Sequence, residues 1–194
     1  MTTAADAATR PAAFRHRPRT LVHPGPFNPV RIRSMCSPRS RHIRLALQPG
    51  ATLYDALVAP LAALGIESAS TTLLGGAFAH LDYCVAPPDP SQAAVIAYTR
   101  PIPAGAAWMV FGNATLGKGL DGAPLVHCHA AIRTDAGTVR GGHVIPSTSR
   151  VGDRPIPVLV TSLDGFELRV AHDPETNIAL LQPQAPITAG AFHG

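Results

Sequence analysis

The sequence predicts an α+β fold: a mostly antiparallel β-sheet with one helix packed near the start of the domain. Three observations predict it. A single amphipathic helical stretch lies between residues 52 and 65, period-two alternation dominates after Ser68, and turn residues separate the alternating runs. The 194 residues suffice for one core and are too few to suggest two. With 46% apolar and 14% charged residues, most of the chain is expected to fold. No apolar run approaches the roughly 18–20 residues of a membrane span, and no signal-peptide pattern follows the start.

The elements follow in chain order. Residues 1–41 form an arm rich in Arg and Pro, read as a disordered start followed by an extended stretch in which Leu21, Val22, Val30 and Ile32 find packing partners. Met1 to Arg44 holds nine arginines against one acid, Asp6, whereas the remainder has seven basic and eleven acidic residues. A basic arm is thus attached to a mildly acidic body. Organelle transit peptides share this bias, but Pro11, Pro18, Pro24, Pro26 and Pro29 oppose the amphipathic helix they need.

The domain is expected over 42–183, leaving 184–194 as a tail. Ile43, Leu45 and Leu47 alternate as in a half-buried strand. Thr52 caps a helix with Asp55 three residues on, and Leu53, Ala56, Leu57, Leu61 and Leu64 form its buried stripe. Pro60 is expected to kink this helix and Gly65 to end it. Strands are then expected at 69–74, 77–85, 93–99, 106–112, 124–134, 138–145, 156–162, 166–171 and 178–181. The Pro-rich stretch 86–90 and the glycine-containing stretch 113–123 read as loops. Asp164-Gly165 reads as a hairpin turn between the strands on either side.

The chemistry sits in the segment Leu125 to Val144. Strand residues two apart share a face, so His127 and His129 point together and Cys128 points away. Asp135-Ala136-Gly137 has the form of a three-residue hairpin loop with Gly137 in a left-handed conformation. Thr134 then faces Thr138, and counting outward places His143 directly across from His129. Opposed residues have Cβ atoms about 4.5–5.5 Å apart, close enough for imidazoles to share an ion. Three neutral imidazoles suit Zn²⁺ with a fourth position open, though copper, nickel or iron fit the same donors. The simpler alternative is that the histidines are separate surface or core residues. His80 and Arg140 are candidate supporting partners of the site. Glu67, Glu167 and Glu175 read first as solvated charges, and Cys128 as a small core residue. Cys36, Cys84 and Cys128 show no disulfide framework, as expected of a reducing cytoplasm.

The HxH pair followed after a short hairpin by Gly141-Gly142-His143 resembles the bacterial and archaeal signature of the PPC (plants and prokaryotes conserved) domain family. Ile43–Gly50 with its helix, Leu73–Tyr83, Phe111-Gly112-Asn113-Ala114 and Arg169–Leu181 resemble other parts of that domain. The resemblance implies a twisted, barrel- or sandwich-like antiparallel sheet assembled as a homotrimer. It also implies a metal site at His127, His129 and His143. Plant relatives join the domain to a DNA-binding AT-hook but lack these histidines. In the arm, Arg15-His16-Arg17-Pro18 resembles an AT-hook core with His16 in place of its glycine.

Two functions are therefore expected. The first is a three-histidine metalloprotein, with zinc as the expected ion, that binds a small anionic ligand or performs simple metal-assisted lyase or hydrolase chemistry. The second is a DNA-binding protein that works through the arm, with Arg15, Arg17 and Arg19 on the phosphates.

Overall fold

The structure is a computed structural model that describes residues 21–186. Ten strands and one α-helix build it: β1 (His42–Leu47), α1 (Leu53–Ala63), β2 (Ala69–Leu73), β3 (Gly76–Cys84), β4 (Ile102–Lys118), β5 (Pro124–Thr134), β6 (Val139–Val144), β7 (Arg150–Val151), β8 (Ile156–Ser162), β9 (Glu167–Asp173) and β10 (Ile178–Gln184). Every strand pairing is antiparallel except a single contact of Lys118 in β4 with Arg169 in β9. Strands β3, β4, β5 and β6 close a circuit of pairings, and β2, β8 and β1 extend from β4 as an open wing. The sheet is thus a partial ring rather than a barrel.

Helix α1 follows its sequence signals. The Thr52 hydroxyl oxygen accepts the Asp55 N–H at 3.0 Å, satisfying one of the free donors of the first turn. Gly65 stops the helix at φ +67°, where a Cβ would be strained. The helix continues through Pro60 to Ala63. Leu53, Leu57 and Leu61 are buried, but Leu64 lies past the last helical turn and is exposed. Ile66 fills the core after it. The core joins this helix to inward residues of the sheet, including Phe78, Met109, Cys128, Ile132 and Val158.

Three expectations require correction. The loop expected over 113–123 is strand as far as Lys118, and β4 runs for 17 residues. Gly117 marks a close approach, not a turn: a Cβ there would lie 2.5 Å from the Leu168 carbonyl oxygen, whereas Gly119 and Gly122 belong to the turn that follows. The stretch 93–99 is no strand. Ile96 makes an isolated antiparallel bridge to Pro88, and Ala97 and Thr99 donate to Pro87 and Val85 in the same register, but Val95 donates to Thr176 instead, so the contact does not extend into a strand. Finally, Asp164-Gly165 is a turn but not a hairpin. Both edges of β8 are occupied by β1 and β2, so β9 leaves to pair with β10.

Candidate metal centre

The β5–β6 hairpin has the register counted from its loop. Gly137 has φ +77°, the Thr134 N–H donates to the Thr138 carbonyl, and His129 pairs with His143. Cys128 on the opposite face is fully buried opposite Val144, and burial pushes its thiol up to about 12, so it stays protonated. On its other edge, β6 is held by Cys84, which pairs with His143. That contact needs glycine next door, because a Cβ on Gly142 would lie 2.4 Å from the Cys84 carbonyl oxygen. The closed circuit of strands therefore fixes His143 from both sides.

One nitrogen from each of His127, His129 and His143 lies within 4.8 Å of the other two. The Nε2 atoms of His127 and His129 are 3.0 Å apart. Tetrahedral zinc–nitrogen bonds of about 2.0–2.1 Å would hold ligand nitrogens about 3.3 Å apart, so the donors stand close to coordinating positions. Burial, then His143 and His129, push the His127 imidazole down to about 4. Burial and His129 lower His143 as well. At neutral pH these rings keep the free lone pairs that a metal requires. The Nδ1 of His143 is buried with no hydrogen-bond partner among the described residues, an orphan that this network leaves unsatisfied. The donor set thus fits a divalent cation of zinc type.

His127 and His143 open onto a cavity of ≈ 1000 Å³. That is the upper end of the range for small-molecule sites, about 300–1000 Å³. Tyr98 also lines it, with its ring centroid 5.5 Å from that of His143. The far wall comes from β9, β10 and arm residues 28–33. Of this wall only Val30 and Ile32 carried an expectation, of packing, and both stay largely exposed, as do Leu21 and Val22; Tyr98 carried no signal in a stretch read as a strand.

The other expected site residues lie elsewhere. His80 pairs with Asp82 at 3.0 Å, and exposed Arg140 donates to the Val139 carbonyl; neither lines the cavity. Glu67 and Glu167 bind Lys118 at 2.7 and 2.8 Å, and Glu167 also holds Arg169. Glu175 is not solvated but buried, where it anchors the arm. Arg15, Arg17 and Arg19 lie outside the described residues. No helix of the described residues is long and apolar enough to cross a membrane.

No family model matches the chain, and no curated protein matches it by sequence. Solved structures do share its fold. A metal-containing protein from Archaeoglobus fulgidus is 20% identical with a TM-score of 0.56, over 76% of this chain and 96% of its own. A plant- and prokaryote-conserved (PPC) protein from Pyrococcus horikoshii is 19% identical with a TM-score of 0.56, over 78% and 96%. A protein from Ralstonia eutropha whose name refers to DNA binding is 17% identical with a TM-score of 0.54, over 74% and 90%. At these identities the likeness establishes a shared fold with PPC-type structures, here bearing a cluster of three histidines.

Proposed function

We propose that the chain is a PPC-type metalloprotein whose His127, His129 and His143 hold one divalent metal, zinc first among the candidates, and present it to a small anionic ligand. The carrying observation is the convergence of three imidazole nitrogens within 4.8 Å at the wall of a large cavity. Bound zinc would act as a Lewis acid or lower the pKa of a water, the chemistry of a lyase or hydrolase. The chain's own part is to keep the imidazoles unprotonated, fix them on a closed strand circuit and shelter the ligand under the arm. The domain is taken to span 42–183 and to assemble as a homotrimer.

Metal analysis of the purified full chain tests this reading. One zinc per chain is expected, with loss of the metal in the His127→Ala/His129→Ala double variant and an unchanged far-ultraviolet circular dichroism spectrum. A metal-free wild type that takes up no zinc, cobalt or copper on titration would sink it.

A second reading, DNA binding through the arm, draws on the excess of arginine before residue 45. It predicts an affinity that falls steeply with salt, and a shallower slope when Arg15, Arg17 and Arg19 are changed to Gln. Each lost phosphate contact reduces the slope by about 0.9 on the logarithmic scale. A salt slope that the triple variant leaves unchanged would count against the arm.

A further inference from the structure

The arm is seated on its own chain by one residue. Glu175 lies in the turn between β9 and β10, where a carboxylate is ordinarily solvated, yet it is only 4% exposed. His23 Nδ1 reaches it at 2.8 Å and Arg31 Nη2 at 2.7 Å, the Asn28 N–H donates to it at 3.0 Å, and its own carbonyl accepts the Gly25 N–H at 2.9 Å. The seat is also shaped for this segment. A Cβ on Gly25 would stand 1.7 Å from the Pro174 carbonyl oxygen, an approach only glycine permits. Docked in this way, Asn28 and Val30 to Arg33 line the cavity onto which His127 and His143 open.

The chemistry of that wall is selective. Val30, Ile32, Leu168, Val170 and Leu180 make much of it apolar. Of the charged side chains there, Arg31 is committed to Glu175, and the Asp173 carboxylate accepts from Thr176. Arg33 has no ion pair among the described residues.

We propose that segment 28–33 is the specificity wall of this cavity, that Glu175 is the positioning residue holding it there, and that the ligand is a small carboxylate with an apolar body, selected by Arg33. The inference rests on the reading of the three histidines as a metal site, which the carboxylate would approach from the cavity. Without the docked arm the cavity loses one wall and its open cation together.

The test uses the full chain loaded with Co²⁺, titrated with benzoate and with its neutral analogue benzamide, and followed by the visible cobalt bands. Benzoate is expected to bind the wild type at least about tenfold more tightly than benzamide. Arg33→Gln should weaken benzoate by about tenfold, the scale of one charge-assisted hydrogen bond, without changing cobalt affinity. Glu175→Gln should weaken benzoate similarly and also speed hydrogen exchange at the amides of 25–33, a readout that Arg33→Gln leaves alone. A normal cobalt spectrum with benzoate affinity unmoved in both variants would overturn this inference alone, as would equal binding of benzamide. Failure of the wild type to bind cobalt would overturn the metal reading and this inference with it.

Discussion

At the scale of single residues, the histidines and Glu175 show how partners decide what an ionisable group does. His127 and His143 are surrounded by one another and by buried surface, so their charged forms are disfavoured. Glu175 has the opposite surroundings. The hydrogen bond from His23, assisted by the Asn28 N–H and Arg31, holds its carboxyl below the usual glutamate range. A carboxyl whose folded-state pKa is depressed stabilises the fold above its unfolded value, about 4.3, and loses that contribution as pH falls through the folded value. Glu175→Gln keeps the shape and removes the charge. The melting temperature of the wild type should therefore exceed that of Glu175→Gln at pH 7, and the gap should narrow once pH drops below about 4. Ionisable groups that do not touch Glu175 are common to both proteins and cancel in the difference. Thermal melts of the pair between pH 7 and 3.5 check this; a gap independent of pH would mean that the charge of Glu175 does not hold the arm.

At the scale of elements, the β5–β6 hairpin and its neighbour β3 form the unit that places the site. Because β6 leans on β3 through Cys84, the approach at Gly142 is a structural requirement. Gly142→Val should push β6 from β3, shift His143 and weaken zinc binding by at least about tenfold, an effect on the order of that from disturbing a ligand's supporting contacts. Competition with a chromophoric chelator measures it, and zinc affinity equal to the wild type would show that β3 is not needed. The hairpin was legible in the sequence because its determinants are local: a short loop, one left-handed glycine and a side-chain period of two. Helix α1 was legible for the same reason, through Thr52 and Gly65. The second half of strand β4 was not, since Gly117 looks like a loop residue until the Leu168 backbone packed against it is known. The cavity was illegible for a related reason. Its walls come from the arm, Tyr98, the hairpin and β9–β10, which no local pattern brings together. Glu175 read as a solvated turn acid because its partners lie about 150 residues away in the chain.

At the scale of the whole molecule, the surface outside the cavity bears on assembly. Trp108, Val110 and Phe111 on β4 are 51%, 52% and 52% exposed, and Leu74 beside them is 46% exposed. The register of β4 against β5 shifts between Met109 and Phe111, which turns both Val110 and Phe111 outward where a regular strand would alternate. Clustered large apolar side chains of this kind mark association surfaces more often than isolated ones do. Burial of each aromatic ring is worth about 1.5–3 kcal/mol, so a surface repeated around a homotrimer would supply a substantial stabilisation. None of these residues lines the cavity. Replacing Trp108 and Phe111 together with Glu should therefore dissociate the proposed trimer at micromolar concentration while leaving metal content unchanged. Sedimentation velocity with parallel metal analysis separates the two effects. A wild type that sediments as a monomer across the accessible concentration range would refute the trimer. A double variant that stays trimeric would move the interface to another face, and loss of metal together with the trimer would mean that the three-histidine site depends on assembly.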